Sequence, residues 1–351
     1  MKLDETSGIC VKLSIAGLVM ALLALSAPAA ARSPSAAQLR QWCYSEDNGV
    51  SEDQRIEGCS AVLQSDPSNA VALANRGEMF RRKGEAERAL ADLNRAIDLD
   101  GDSAAAWFNR GITYDDLGDR DHAIMDYTRA IRLDPNDAWY YNNRGNSYLG
   151  KNDYAHALAD YDRAIKLDPT YGPAYGNRAR IFRDRGDRDR ALADFAKSIE
   201  LGRHNDRDFY ARANMYFDAQ NYALALEDYD RAIKANASNP ALFNSRCMTR
   251  AILGRLPEAL EDCEQSLRMA PNDPYTLDSR ALTYLKLGDL DAAVADYDAA
   301  LGAKPELDSS LYGRGLAKRK KGDTAGADRD IAAAKAINAG IADLFASYGV
   351  D

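Results

Sequence analysis

Residues 104–137 read AAAWFNRGITYDDLGDRDHAIMDYTRAIRLDPND, and residues 138–171 read AWYYNNRGNSYLGKNDYAHALADYDRAIKLDPTY. The two stretches align without a gap through N-R-G, an alanine twelve residues after the glycine, a tyrosine four further on, and Asp-Pro. Working outward, N-R-G stands at 75–77, 109–111 and 143–145, and N-R-A at 177–179. The later copies are A-R-A (211–213), S-R-C (245–247), S-R-A (279–281) and G-R-G (313–315). Prolines at 67, 135, 169, 271 and 305 are separated by multiples of 34 residues. A fixed period of this length makes the fold an array of one small unit.

Each unit holds two runs of roughly a dozen helix-compatible residues, with apolar positions recurring at three and four, the period of an amphipathic helix. The runs part near Gly84, Gly118, Gly186, Gly254, Gly288 and Gly322. Small residues such as Gly111 and Ala123 let the two helices approach, and Tyr114 and Tyr127 fill the space on either side. Asp-Pro segments stop the second helix and turn the chain into the next unit. One hairpin cannot bury its apolar face alone, so stacked neighbours must supply the core.

This pattern resembles the tetratricopeptide repeat (TPR) family, of an exported bacterial type. In that family's frame Trp107, Gly111, Tyr114, Ala123, Tyr127, Ala130 and Pro135 stand at the expected places. The resemblance covers eight repeats, 70–341, with a degenerate copy at 36–69. It implies an all-α, right-handed superhelical solenoid of stacked antiparallel helix pairs. IADLFASYGVD (341–351) reads as a short final helix covering the last repeat, so that 342–351 form a C-terminal cap. No further domain is expected at either end.

The bulk properties agree with such an array. Hydrophobic content of 46% with 28% charged residues describes a soluble folded chain and not a disordered one. A net charge of −9, with only KRKKG (318–322) as a basic cluster, argues against nucleic acid, because phosphates would be repelled. LSIAGLVMALLALSA (13–27) is too short to span a bilayer comfortably and is followed by small residues at 27, 29 and 31. Residues 1–31 therefore read as a signal peptide, which places the mature chain in the periplasm or outside the cell, with no membrane insertion after cleavage. The two acids in MKLDETSGICVK weaken the usual basic start and keep retention as an anchor open.

Two positions recur in all eight copies. The residue before each glycine, alanine or cysteine is arginine: Arg76, Arg110, Arg144, Arg178, Arg212, Arg246, Arg280 and Arg314. Sixteen residues later stands Asp92, Asp126, Asp160, Asp194, Asp228, Asp262, Asp296 or Asp330. The family commonly carries leucine at the arginine position. Folding the hairpin about its turn sets each arginine nearly opposite its aspartate, which predicts a clasp with bidentate geometry. The alternative is an anion-binding ladder of arginines, and the matching run of acids speaks against it.

The same frame places the cysteines. Cys43 and Cys247 occupy the small-residue position, and Cys59 and Cys263 the ring position of the second helix. Each pair then sits at one helix–helix contact inside one hairpin, and in an oxidising compartment it is expected to close as Cys43–Cys59 and Cys247–Cys263. Two thiols without a nearby histidine are too few for zinc, and both positions face a core, unlike a catalytic thiol.

Motifs for chemistry are sparse. The histidines are His122, His156 and His204, and no Ser/His/Asp set, metalloprotease motif, phosphate-binding loop or dinucleotide fingerprint accompanies them. NDRD (205–208) and DDLGDRD (115–121) are acidic but lack the ligand order of a calcium loop. No enzyme activity, metal or cofactor is expected.

In the family the first helix of each repeat lines the concave face, where Asn75, Asn109, Asn143 and Asn177 stand once per repeat. A side-chain amide both donates and accepts, so a ladder of them can pair with an extended peptide. The row resembles the asparagine ladder of the superhelical O-GlcNAc transferases, although asparagine is also common there in the family consensus. Asn146, Asn177 and Arg207 match three of five positions of the chaperone-binding carboxylate clamp, but Asn142 and Ala211 replace its two other basic residues. Glu78, Arg81, Arg82, Asp115, Asp116, Arg180 and Arg183 make the first half of the groove polar. Tyr210, Asn214, Phe217, Met248, Ile252, Tyr275, Leu282, Leu285, Tyr312 and Leu316 give the second half an apolar stripe, for binding or for filling the inner wall. The resulting expectation is an exported, monomeric adaptor that holds a protein or peptide in this groove. A cell-envelope carbohydrate binder and a self-assembling structural solenoid are the alternatives.

Overall fold

A computed structural model describes residues 34–45, 47, 49–202 and 206–350. The expected signal segment 1–31 and His204 lie outside them. Nineteen helices and no strand are found among the described residues. Eighteen helices pair in chain order: α1 (Ala36–Cys43) with α2 (Glu52–Ser65), α3 (Ala70–Arg82) with α4 (Ala86–Leu99), and α5 (Ala104–Asp116) with α6 (Arg120–Leu133). Next come α7 (Ala138–Gly150) with α8 (Tyr154–Leu167), α9 (Gly172–Asp184) with α10 (Arg188–Glu200), and α11 (Asp206–Asp218) with α12 (Tyr222–Ala235). The series ends with α13 (Pro240–Ile252) and α14 (Leu256–Met269), α15 (Pro274–Leu287) and α16 (Leu290–Ala303), and α17 (Asp308–Lys320) and α18 (Thr324–Ile337). A short α19 (Ile341–Ser347) follows. The architecture is the all-α superhelical solenoid that the resemblance implies.

Each link inside a hairpin from α3/α4 onward passes through one left-handed residue. Gly84, Gly118, Gly186, Gly254, Gly288 and Gly322 take φ between 76° and 91°, a region open to glycine at no steric cost. Asn152 (φ 60°) and Gln220 (φ 57°) hold the same slot, so the hairpin imposes the turn even where glycine is missing. Immediately afterwards, Asp119, Asp153, Asp187, Asp289 and Asp323 cap the second helix, each carboxylate accepting a main-chain N–H of the first turn.

The core lies where the two helices of a hairpin cross. A Cβ on Gly111 would stand 2.7 Å from Cε1 of Tyr127, and one on Gly145 at the same distance from Tyr161, so only hydrogen fits between helix and ring. Tyr127, Tyr161, Phe195 and Tyr297 are fully buried there. The cysteine pairs occupy this same close approach. Cys43 is bonded to Cys59 across 4.5 Å between Cα atoms and Cys247 to Cys263 across 5.4 Å, within the span a disulfide requires.

All eight expected arginine–aspartate clasps are present, each with two parallel hydrogen bonds of 2.6–2.9 Å from Nε and Nη2. The aspartates are buried except for half-buried Asp296. In six cases the remaining nitrogen reaches back to the second helix of the preceding hairpin, at Ser60, Asn94, Thr128, Asp162, Asp230 or Asp298. The arginine thereby ties three helices together, a link that its constancy alone does not reveal.

Candidate binding groove

Successive first helices touch one another, α3 with α5, α5 with α7, α7 with α9, α13 with α15 and α15 with α17. The second helices make no comparable contacts among the described residues, so the first helices form the inner wall of the curve. The side chains proposed to bind stand on these helices, and each of the four ladder asparagines has a different environment. The Asn75 amide donates to the Cys43 carbonyl at 3.0 Å, and Asn143 donates to Trp139 O on its own helix at 2.8 Å. Asn177 donates to Oδ1 of Asn142 (3.0 Å) and of Asn146 (2.8 Å) while accepting from Arg180. Asn109, half-buried, carries no side-chain hydrogen bond to the described residues.

The core rings reach into the same wall. The Tyr161 hydroxyl donates to Asn146 Oδ1 at 2.8 Å and Tyr229 to Asn214 Oδ1 at 2.7 Å, while Tyr127 donates to Asp115. Burial pushes the Asp115 carboxyl up, and the hydroxyls of Ser147 and Tyr127 pull it back down. Every acid of the DDLGDRD segment is engaged: Asp116 with Arg81, Asp119 as a cap, Asp121 with Lys151. This accounts for the segment as packing and capping. The basic residues of the first half are likewise paired: Arg82 with Glu78, Arg183 with Asp184, and Arg180 with fully buried Asp208, which also accepts from Ser198.

In the second half, three of the apolar residues fill the inner wall. Leu282, Leu285 and Leu316 are 1%, 4% and 6% exposed and belong to the core. The chain beyond the repeats covers them, because Phe345, Tyr348 and Val350 pack into the same cluster. Tyr312 lies half-buried with its ring 4.9 Å from that of Phe345. Tyr210 and Phe217 are also half-buried, whereas Tyr275 is 50% exposed with Lys304 over its ring.

Between α11, α13 and α15 the wall opens into a cavity of about 290 Å³, bounded by Phe217, Asn244, Met248, Tyr275 and Asp278. Asn244 Oδ1 is buried without a hydrogen-bond partner. Asp278 accepts from the hydroxyls of Ser309 (2.9 Å) and Ser310 (2.5 Å), yet withdrawal from water pushes its pKa up to about 6. The cavity thus combines aromatic and thioether surface with one unanswered acceptor. Among the described residues no group of three or more His, Cys, Asp or Glu side chains is placed to hold a metal. No described helix is long and apolar enough to cross a membrane.

Family comparison matches most of the array. Tetratricopeptide repeat models match residues 104–137, 138–171, 172–204, 210–274 and 276–307, and a TPR repeat model matches 77–118. Among solved structures, Pseudomonas aeruginosa PilF is 20% identical and superimposes with a TM-score of 0.56 over 62% of this chain and 99% of its own. A tetratricopeptide repeat protein from Parabacteroides merdae is 21% identical, with a TM-score of 0.51 over 71% of this chain and 98% of its own. YrrB, described as a TPR protein with an unusual peptide-binding site, is 25% identical, with a TM-score of 0.50 over 54% of this chain and 97% of its own. No curated protein matches the chain.

Proposed function

This chain belongs to the tetratricopeptide repeat family, and from that premise we propose that it is a non-catalytic scaffold that binds a protein or extended peptide along its inner wall. The family's fold supports an interaction role in general. The observation that carries the finer reading is the cavity between α11, α13 and α15, where apolar surface surrounds a few convergent polar groups. Phe217 and Tyr275 supply aromatic area there, Tyr210 and Tyr312 stand beyond it on α11 and α17, and aromatic anchors dominate binding hot spots. Asn109 and the free oxygen of Asn143 offer hydrogen bonds to a main chain, while Asn75, Asn177, Arg180 and Arg183 hold the wall in shape through their internal bonds. The likeness to YrrB, described as having an unusual peptide-binding site, adds weight to this reading. The two cystine pairs fit export to an oxidising compartment.

The test starts from a partner captured from envelope extract by photo-crosslinkers placed along the inner wall. That partner is then titrated against Tyr210→Ala/Tyr275→Ala and Asn109→Ala/Asn143→Ala chains with native melting curves. The aromatic pair is expected to weaken binding at least tenfold. Unchanged affinity in both variants moves the site off the inner wall.

A further inference from the structure

The C-terminal segment does more than close the last hairpin. After α19 the chain makes a tight terminal turn in which Val350 N–H donates to Phe345 O at 3.1 Å and Gly349 N–H to Ala346 O at 3.0 Å. Gly349, at φ 72°, supplies the left-handed residue that this helix ending requires. The turn presents Phe345 (2% exposed), Tyr348 and Val350 to the inner wall as one apolar knob.

A cation from another hairpin holds that knob. Lys286 on α15 donates from Nζ to the main-chain carbonyl of Tyr348 at 2.6 Å and to that of Ile252 on α13 at 3.2 Å. Sixty-two positions separate Lys286 from Tyr348. An end cap needs only the last pair of helices, α17 and α18, whereas this segment is tied to the wall built by α13 and α15. Main-chain carbonyls are common to every peptide, so the ammonium can hold a segment of any sequence, and the surrounding apolar wall selects its side chains.

We propose that this stretch of wall is a peptide subsite for a helical turn bearing two aromatic residues three positions apart, that residues 341–350 are its resident occupant, and that a partner segment of the same chemistry enters by displacing them. The inference deepens the reading of the inner wall as a peptide groove and rests on it. Two further observations favour exchange. α19 has seven residues, too few to be stable as a helix in water, so its packing alone keeps it folded and it can open without the hairpins. Met248 packs against the covered cluster and also lines the 290 Å³ cavity, so seat and cavity are continuous.

The test uses the full chain carrying Phe345→Asp/Tyr348→Asp, which evicts the resident segment, and a fluorescein-labelled peptide IADLFASYGVD as probe. Anisotropy titration should give at least tenfold tighter binding to this variant than to the unmodified chain, where the tethered segment competes at high effective concentration. Adding Lys286→Met to the evicted variant should weaken the probe about tenfold. Equal binding to both chains, or binding to neither, overturns the proposal. Should the evicted variant fail to fold, native-state hydrogen exchange on the unmodified chain decides. Amides of 341–350 exchanging ahead of those in α15 and α17 support displacement, and exchange only in step with them overturns it. Because the probe is the chain's own segment, failure here leaves the groove to its separate crosslinking test, whereas failure of that test with the probe still bound leaves a seat for the resident segment and no partner site.

Discussion

Arg144 grips Asp160 through two parallel hydrogen bonds, Nε to Oδ2 at 2.8 Å and Nη2 to Oδ1 at 2.7 Å, while Nη1 reaches Thr128 of the preceding hairpin at 3.1 Å. Asp160 is 5% exposed, so the charge pair sits largely out of water. Removing one member of such a pair strands the other, at a cost of about 3–5 kcal/mol, whereas removing both leaves only an apolar contact to repack. Asp160→Leu and Arg144→Leu should each lower the melting temperature, and Arg144→Leu/Asp160→Leu should recover most of the loss. Strictly additive losses in thermal melts would mean that the two side chains are not coupled.

The cystines close loops of 16 residues, for which chain-entropy arguments give about 3 kcal/mol each. Reduction should therefore lower the melting temperature while far-ultraviolet circular dichroism keeps its helical signature, since the other hairpins carry no disulfide. Intact mass of the unreduced chain should lack four hydrogens relative to the reduced form. Free thiols at Cys43, Cys59, Cys247 and Cys263 in the native protein would contradict both expectations.

Asp278 gives stability a particular pH dependence. Burial raises its pKa from 3.8 to about 6, so between those values the folded chain keeps a proton that the unfolded chain has lost. Its contribution to stability accordingly falls as pH rises from about 4 to about 6.5 and is level beyond. Asp278→Asn removes the titration. The melting temperature of the variant minus that of the parent should climb through that window and then plateau. A difference independent of pH would show that Asp278 titrates as an ordinary surface carboxylate.

Gly145→Ala tests the close crossing of α7 and α8. The new methyl would meet the Tyr161 ring at 2.7 and 3.1 Å, and overpacking of this kind costs about 1–3 kcal/mol. Gly145→Ala/Tyr161→Leu should lose less than the sum of the two single variants, because truncating the ring removes the atoms that the methyl would meet. Chemical denaturation midpoints of the single and double variants give the comparison.

The parts of this architecture legible in the sequence are those whose partners lie inside one period. The hairpins, the left-handed turns at the glycines and the clasp between Arg144 and Asp160 all join residues of a single unit, and repetition exposes them. The third bond that six of the arginines make escapes the same reading because its acceptor varies in type, from Ser60 through Asn94 and Thr128 to Asp162. The asparagines read as one ladder for the opposite reason. Their type is constant, but Asn75 turns to a neighbouring hairpin's carbonyl and Asn143 to its own helix. Leu282, Leu285 and Leu316 looked available because their cover comes from Phe345, Tyr348 and Val350, which lie beyond the last period and leave no periodic trace.

The reach of six arginines into the previous hairpin also sets rules for cutting and grafting the array. An excised piece that begins at a first helix leaves its leading arginine with an unanswered donor, as α3 would without α2, whose Ser60 hydroxyl meets Arg76 at 3.1 Å. The natural module is therefore an overlapping triplet of helices: the second helix of one hairpin and both helices of the next. Transplanted segments should join cleanly where a hydroxyl, amide or carboxylate stands sixteen residues before the arginine. They should join poorly behind Ala196, which offers Arg212 a methyl group in that place.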